Sequence, residues 1–495
     1  MASTLPLDIL PIILSHLAIP DIFRFRLVCR NYLHITKTHA LWFSYLQQHF
    51  LRYSRPLPGL NGRSLDALGA KELEHLAIRA EKYRRNWRSK EPKPTRHVEF
   101  IAVPESRIVS LDFLSRNGEN WLLSLAMTRN NGLRAFTFQC WDLSTNPPTC
   151  IARRILHHFA GMAFNRLSTG RAVVAVKTPE CVGFFPSCCL GALTCRGVLL
   201  RICLIDIDPT LPSGGGNPSL ARSPPQACVN IASLEDRAVG NLILVGDLML
   251  TQDDVGRAFL YHFERPEARV ELAFPEGNVQ PERILDVLVD RDWIILARTT
   301  TVELYPLPAS IDRNIQIESI ATHKWQWKVD SMSIVCPTDN SLSPVKPVHM
   351  TLRYGSIHPW PVNLIHRYVL NPNDFFDSTK PASRENLPYL FPPFNTQMIG
   401  SPIRLMATYD MTVGSHGTIV YIDSHTESYF RHSDFGQRLV GTHMDEQAED
   451  GTTVGETSVY TVNERDQWTR IALQEEEGRI AIGHVDGRIT VFDYA

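Results

Sequence analysis

Residues 98–495 repeat one local pattern seven times, and this repetition constrains the fold more than any other feature of the sequence. Each unit joins two strands of alternating apolar and polar residues across a turn, which is the pattern of a β-hairpin. No stretch in this region keeps the three-to-four-residue apolar spacing of a long helix. The predicted hairpins pair residues 121–127 with 134–143, 172–177 with 198–207, 242–250 with 257–263, 293–297 with 301–306, 348–353 with 362–370, 403–409 with 418–423, and 479–483 with 488–493.

The spacing of these hairpins predicts a β-propeller of about seven blades. Their second strands end at a mean step of about 58 residues, more than the roughly 40–45 residues of a four-stranded blade. Hairpins are unstable alone, and a propeller packs them face to face around a channel. Residues 98–103 have no blade of their own and are expected to add an outer strand to the last blade. A pair of β-sandwiches is the alternative architecture.

Two strand endings give the propeller a partial family likeness. Trp141-Asp142 and Phe492-Asp493 approximate the Trp-Asp ending of WD repeats, so the domain resembles a divergent WD-like propeller. Three inserts are expected to interrupt it. Residues 209–227 are rich in Gly and Pro and predict a flexible linker, and residues 443–458 predict an acidic solvated loop. Residues 371–396 carry several aromatics, which favour a loop packed across a blade edge over an exposed recognition loop.

The first hundred residues differ in charge from the rest, which indicates a separate N-terminal module. They hold 16 of the 50 Lys and Arg residues but only 8 of the 52 Asp and Glu residues, a net charge of +8. The remaining 395 residues carry a net charge of −10. The whole chain has a net charge of −2 and 44% hydrophobic residues, which is ordinary for a globular protein and excludes a globally basic nucleic-acid binder.

Residues 5–50 predict three short helices. Apolar residues recur three and four positions apart in the first helix. Ile19-Pro20-Asp21 predicts a break, because the residue before proline avoids the helical conformation and Asp21 can cap a second helix. Such a small module buries little surface, so part of its apolar face is expected to stay exposed for a partner. The positions on which these helices depend are Leu10, Ile13, Leu14 and Leu17, then Ile22, Phe25, Val28 and Cys29, then Leu41, Trp42, Tyr45 and Leu46.

This segment resembles an F-box over about 45 residues. The resemblance rests on Leu5-Pro6, a leucine-rich first helix, an Asp-led second helix that ends in Leu-Val-Cys-Arg at residues 27–30, and Leu41-Trp42. Asp8 stands where the family often has Glu, and Asn31-Tyr32 departs slightly from the family pattern. A generic three-helix cap with a buried Cys29 is the alternative. The adaptor-binding residues that the resemblance implies are Leu5, Pro6, Ile9, Leu10, Ile13, Leu14, Leu17, Ile22, Phe25, Leu27, Val28, Cys29, Arg30, Leu41 and Trp42.

The resemblance implies a docking role. F-box motifs bind the Skp-type adaptor of SCF (cullin–RING) ubiquitin ligases, and their proteins hold a substrate near the ubiquitin-charged enzyme without chemistry of their own. An apolar helical face rimmed by Arg24, Arg26 and Arg30 suits such an interface. The expected function is a non-catalytic substrate receptor that binds the adaptor, and through it cullin and RING subunits, while the propeller binds an unknown protein substrate. A propeller scaffold without a ligase role, or a propeller enzyme or glycan binder, are the alternatives.

The sequence therefore predicts an α+β multidomain chain: an all-α F-box at residues 1–50, a basic helical linker at 51–97 and an all-β propeller at 98–495. Residues 79–96 hold eight basic and two acidic side chains, which favour a solvated linker helix over a nucleic-acid site. Glu91-Pro92-Lys93-Pro94 is expected to end that helix.

Motifs for chemistry are weak. The cluster Cys181, Cys188, Cys189, Cys195 and Cys203 lacks the spacing of a zinc site. No phosphate-binding loop, nucleophile elbow or zinc-protease motif occurs in the sequence. We therefore expect no metal, no cofactor and no nucleic-acid or membrane partner. Scattered cysteines and the absence of a signal peptide predict a location in the cytoplasm or nucleus.

Overall fold

The structure is a computed structural model, and its described part is dominated by strands. Residues 1–8 lie outside that part, and every statement below refers to the described residues. The other positions left out are 54, 61–62, 117–118, 131–132, 157–158, 160, 166–172, 181–198, 208–227, 237–240, 254, 263, 274–281, 337–344, 356–361, 403–409, 425–435, 444–452 and 455–456.

Five helices form the described part of the N-terminal module, and two short 3-10 turns, Leu51–Tyr53 and Leu65–Ala67, lie between the fourth and the fifth. The helix Arg30–Ile35 was not expected, because its apolar residues are too few to show a stripe. The helices are α1 (Leu10–Ser15), α2 (Ile19–Arg26), α3 (Arg30–Ile35), α4 (His39–His49) and α5 (Ala70–Trp87).

The second helix begins earlier than the sequence suggested. Ala18 is its N-cap, in an extended conformation, and Pro20 lies in the first turn, where its missing N–H costs nothing. Asp21 is therefore inside the helix and does not cap it. Its carboxylate instead accepts a hydrogen bond from Arg24 at 2.8 Å, one turn along. The expected break lies at residues 16–18, not at Ile19, because Ala18 is the extended residue and Ile19 is already helical although it precedes proline.

The helices pack around one apolar core that α5 completes. Trp42 and Leu41 of α4 are fully buried, and Leu73 and Ala77 of α5 lie in the same cluster. The expectation of a solvated linker helix was therefore wrong for one face of α5. Its basic side chains occupy the other face, so the helix is amphipathic and its charge run is the exposed stripe.

Seven sheets form the described part of the propeller, in agreement with the expected number of blades. In chain order, blade 1 holds β2 (Arg107–Arg116), β3 (Glu119–Asn130), β4 (Leu133–Asp142) and β5 (Thr149–Leu156); blade 2 holds β6 (Gly161–Phe164), β7 (Val173–Glu180), β8 (Leu199–Ile207) and β9 (Cys228–Asp236); blade 3 holds β10 (Ile243–Val245), β11 (Leu248–Gln252), β12 (Ala258–His262) and β13 (Arg265–Leu272); blade 4 holds β14 (Ile284–Asp290), β15 (Trp293–Arg298), β16 (Thr301–Pro306) and β18 (Ala321–Lys324).

The remaining three blades complete the ring. Blade 5 holds β19 (Val329–Val335), β20 (Val348–Tyr354), β21 (Val362–Leu370) and β22 (Phe394–Pro402); blade 6 holds β23 (Met411–Val413), β24 (Ile419–Ser424), β25 (Gln437–Thr442) and β27 (Ser458–Asn463); blade 7 holds β28 (Trp468–Gln474), β29 (Arg479–His484), β30 (Arg488–Asp493) and β1 (Arg96–Ile101).

Strand β1 closes the ring as predicted. It pairs antiparallel with β30, from Arg96 opposite Asp493 to Ile101 opposite Arg488, so the last blade takes its outer strand from the start of the domain. Two blades also receive a parallel fifth strand from the next blade's connection: β17 (Ile315–Ile317) joins blade 3 and β26 (Thr453–Val454) joins blade 5. These added strands cover outer edges that would otherwise be open.

The inner strands of neighbouring blades are fixed by polar contacts. The Asp286 carboxylate of β14 accepts the backbone N–H of Ile334 in β19 at 2.8 Å. Between blades 6 and 7, the Asp410 carboxylate accepts the N–H of Ile471 at 2.9 Å, and burial raises the pKa of Asp410. These carboxylates satisfy backbone donors that a β-sheet edge leaves unpaired.

Six of the seven predicted hairpins correspond to the second and third strands of a blade, and the sixth does not. Residues 403–409 lie outside the described part, and β24 pairs instead with β23 and β25. The strand at residues 418–423 was predicted correctly, but its partner was not, because the short strand β23 lies between it and residues 403–409 in the sequence. Of the inserts, residues 209–227 and most of 443–458 lie outside the described part, as do Cys181, Cys188, Cys189 and Cys195.

The aromatic insert at residues 371–396 is packed in part. Tyr389 is fully buried, and its ring centroid lies 5.8 Å from that of Trp293 in an edge-on contact. The Phe376 ring also meets Trp293 edge-on, at 5.9 Å. Phe375 is 93% exposed, so the insert also presents an aromatic side chain to solvent. The loop is thus held by buried aromatic side chains and also carries one that is exposed.

Candidate functional site

Exposed apolar residues gather at two places on the helical module. Ile9, Ile12 and Ile13 lie exposed at the start of α1, and Leu27 and Val28 lie exposed in the turn between α2 and α3. Leu27 is 85% and Val28 68% exposed, although both are large apolar residues in an ordered turn. Apolar side chains held at a surface in this way are typical of a partner interface.

The other residues of the expected docking set divide by burial. Cys29 and Arg30 are exposed, Leu17 and Phe25 are half-buried, and Leu5 and Pro6 lie outside the described residues. The remaining five lie in the interior of the module, where they build the fold that holds the surface: Leu10, Leu14, Ile22, Leu41 and Trp42. Adaptor binding by any of the fifteen stays a prediction. Ile12 was missed, because its position lies outside the stripe that the helical spacing marks as apolar.

The turn that exposes Leu27 and Val28 is fixed by polar contacts beneath it. The Arg26 guanidinium pairs with Glu74 of α5 at 2.9 Å and donates to the Thr36 carbonyl at 2.9 Å. The Trp42 indole donates to the same carbonyl at 3.0 Å. Arg26 was expected at the rim of the docking face, but its side chain is turned inward and ties α2 and α3 to α5.

The far end of α5 is inserted into the propeller. Trp87 is 3% exposed, and its ring lies 4.8 Å from that of Tyr460 in blade 6 and 5.2 Å from that of Tyr494, which follows blade 7. Tyr83, one turn earlier, donates to the Glu475 carbonyl at 3.3 Å. One helix therefore belongs to two cores, the helical one at its start and the propeller at its end.

A chain of polar contacts supports this junction. The His443 ring nitrogen Nε2 lies 2.9 Å from the Trp87 carbonyl, and Nδ1 lies 3.2 Å from the Thr418 hydroxyl, which also contacts the Glu475 carboxyl. Burial lowers the pKa of His443 to about 4 and raises the pKa of Glu475. Both groups are thus driven toward their neutral forms, which suits an interior with few charges.

The junction occupies one face of the propeller. Strand direction alternates within a blade, so connections between first and second strands, and between third and fourth, lie on one face, and the other connections lie on the opposite face. Thr418 precedes a second strand, Glu475 lies between first and second strands, and His443 follows a third strand. The helical module is therefore attached to this face, and the opposite face, made of second-to-third and blade-to-blade connections, points away from it.

Two searches of the described residues complete the picture of the site. No cluster of three or more His, Cys, Asp or Glu side chains in the described part of the chain is arranged to hold a metal ion. Among the described helices, none combines the length and the apolar character needed to span a bilayer.

Residues 3–44 match the model of the F-box domain family. A search of curated proteins gives no match to the chain. The chain thus carries an F-box domain followed by a β-propeller. F-box domains as a class bind Skp-type adaptors and are typical of the receptor subunits of SCF ligases, so this domain combination indicates a substrate receptor in general terms.

Proposed function

We propose that this chain is a non-catalytic substrate receptor of an SCF-type ubiquitin ligase. One observation carries the proposal: four large apolar side chains are exposed within the segment that matches the F-box domain model, namely Ile9, Ile13, Leu27 and Val28. These side chains dock a Skp-type adaptor, which brings cullin and RING subunits. The propeller binds a protein substrate on the face that points away from the helical module.

The double attachment of α5 supports this role. A receptor accelerates ubiquitin transfer by holding its substrate at a fixed place relative to the charged enzyme, and a mobile tether would dilute that effect. Because α5 shares Leu73 with the helical core and Trp87 with the propeller core, the docking face and the propeller keep one orientation. A scaffold without a ligase role has no need of the exposed F-box face.

The proposal is tested by co-purification with a Skp-type adaptor. The double variants Ile9→Asp/Ile13→Asp and Leu27→Asp/Val28→Asp each bury charge at the docking face and are expected to weaken binding about a hundredfold or more. The matched control Leu133→Asp/Ile155→Asp changes exposed apolar residues of blade 1 and is expected to bind like the wild type. Failure of the folded wild type to bind, or equal binding by all variants, would overturn the proposal.

A further inference from the structure

An aromatic cluster lies where blades 4 and 5 meet, on the propeller face opposite the helical module. The connection between β18 and β19 supplies Trp325 and Trp327, and blade 5 supplies Tyr354, His366 and Tyr368. We call these five residues the Trp327 cluster. Ring centroids lie 5.3 Å apart for Trp327 and Tyr354, 5.0 Å for Tyr354 and His366, and 5.0 Å for Trp325 and Tyr368.

Trp327 is the exposed member of this cluster. It is 44% exposed, whereas Trp325, Tyr354 and His366 are all buried. The Tyr354 ring meets Trp327 edge-on, and the Tyr354 and Tyr368 hydroxyls lie 3.2 Å apart. A rigid, half-exposed tryptophan backed by buried rings is the kind of residue that dominates binding energy at protein interfaces.

The cluster also holds two buried nitrogen atoms without a partner in the described residues. Trp325 Nε1 and His366 Nε2 make no hydrogen bond there, although both side chains are more than nine-tenths buried. The Asn395 side-chain amide lies 3.1 Å from His366 Nδ1, which leaves Nε2 as the ring nitrogen without a partner. A buried polar atom left unpaired costs about 1–3 kcal/mol, so two such atoms in one cluster favour a ligand with polar groups, among them an oxygen acceptor for the Trp325 indole N–H.

The surroundings of the cluster are positively charged. Lys324 and Lys328 flank the two tryptophans, are exposed, and form no ion pair with any described residue. Arg283 is exposed nearby and donates to the Asp330 carbonyl at 3.3 Å. The Asp330 carboxylate is already paired with Arg353 at 3.2 Å. Charge complementarity therefore calls for an acidic ligand.

We propose that the Trp327 cluster docks an acidic peptide segment of a partner protein, with one large apolar side chain of the peptide packed on Trp327. A peptide oxygen accepts a hydrogen bond from Trp325 Nε1, a peptide polar group pairs with His366 Nε2, and peptide carboxylates face Lys324 and Lys328. Two separate lysines act as point charges and suit dispersed carboxylates. A phosphate is better bound by the convergent donors of an arginine. The proposal rests on the receptor function and assigns it a class of substrate.

The test is selection from a displayed library of random peptides on the full-length chain in complex with the adaptor. Enriched peptides are expected to be acidic and to share one aromatic or leucine residue. Trp327→Ala is expected to lower the affinity of an enriched peptide about tenfold or more. Lys324→Glu/Lys328→Glu is expected to weaken binding and to reduce its dependence on salt concentration.

Two control variants isolate the cluster. Phe375→Ala removes an exposed aromatic from the opposite face, and Arg153→Glu/Arg313→Glu makes the same change in charge at exposed positions elsewhere. Both are expected to bind the enriched peptide like the wild type. Lack of enrichment, enrichment of neutral or basic peptides, or equal binding by Trp327→Ala would overturn the docking proposal.

Measuring adaptor binding distinguishes failure of the docking proposal from failure of the receptor function. Trp327→Ala is expected to bind the adaptor like the wild type, because the two sites lie on opposite faces. Adaptor binding without peptide selection would refute only the docking proposal. Absence of adaptor binding by the wild-type chain would refute the receptor function on which it rests.

Discussion

Trp87 shows how one residue decides the relation between two parts of the chain. Its indole fills a site between Tyr460 and Tyr494, and its carbonyl meets the His443 ring and, at 3.4 Å, the Tyr460 hydroxyl. Gly478 permits the same junction, because its φ of +68° is left-handed and a Cβ there would lie 2.5 Å from the Tyr83 ring. Only glycine meets both conditions without strain.

The half-buried His443 makes the junction sensitive to acid. Its folded-state pKa of about 4 lies below the ordinary 6.5, so between these values the unfolded chain binds a proton that the folded chain does not. Its contribution to stability is therefore complete above pH 6.5 and is lost as the pH falls toward 4, by up to about 3 kcal/mol. Arg88 and Arg367 also disfavour the charged ring.

The measurement is urea unfolding of the wild type and of His443→Gln at pH 7, 6 and 5. Glutamine keeps a donor for the Trp87 carbonyl and removes the titration. The stability difference between the two proteins is expected to shrink by about 2 kcal/mol from pH 7 to pH 5. Parallel pH profiles would show that the ring does not titrate in this way.

At the scale of the elements, the short strand β1 closes the propeller ring. Six residues at the start of the domain supply the outer strand of blade 7, so the ring depends on a segment far from that blade in sequence. Without β1, strand β30 becomes an edge with open backbone groups, and edges of that kind pair with other chains.

Three truncations test this dependence. A chain that begins at Gly69 keeps α5 and β1, and we expect a folded monomer. A chain that begins at Ala102 loses both elements, and we expect aggregation or a clearly lower melting temperature. A third chain, beginning at Thr95, keeps β1 but loses α5, and we expect intermediate behaviour. Size-exclusion chromatography and thermal melting give the readout, and equal behaviour of the Thr95 and Ala102 chains would contradict the role of β1.

The elements also show where sequence reasoning succeeds and where it stops. The hairpins could be predicted because alternation and turn residues are local, as in β29 and β30 around Asp486-Gly487. The parallel strands β17 and β26 could not, since two or three residues that join a neighbouring blade leave no periodic signal. The predicted start of α2 was wrong because proline signals a boundary without fixing the residue at which the helix begins.

The candidate site was predictable only in outline. The F-box pattern marked the segment, but the pattern mixes Val28, which is exposed, with Trp42, which is buried. Only packing against α5 decides which residues face out, and Arg26 turned inward for the same reason. The Trp327 cluster had no signal in sequence, because its rings come from two blades.

At the scale of the whole molecule, the two proposed binding surfaces lie on opposite sides of the propeller. The exposed F-box residues lie on the helical module, and the Trp327 cluster lies on the far face of the propeller. Helix α5 fixes their relation because its ends belong to different cores. In the proposed receptor, this arrangement holds a bound protein at a set distance from the ligase.

Reconstituted ubiquitin transfer tests this central claim most directly. The wild-type chain, loaded with proteins captured from a lysate, is combined with adaptor, cullin–RING, ubiquitin and its activating and conjugating enzymes. We expect ubiquitinated captured proteins with the wild type and with Leu133→Asp/Ile155→Asp, and none above background with Leu27→Asp/Val28→Asp. Captured proteins that stay unmodified with the adaptor-bound wild type, or that are modified equally with all three chains, would contradict it.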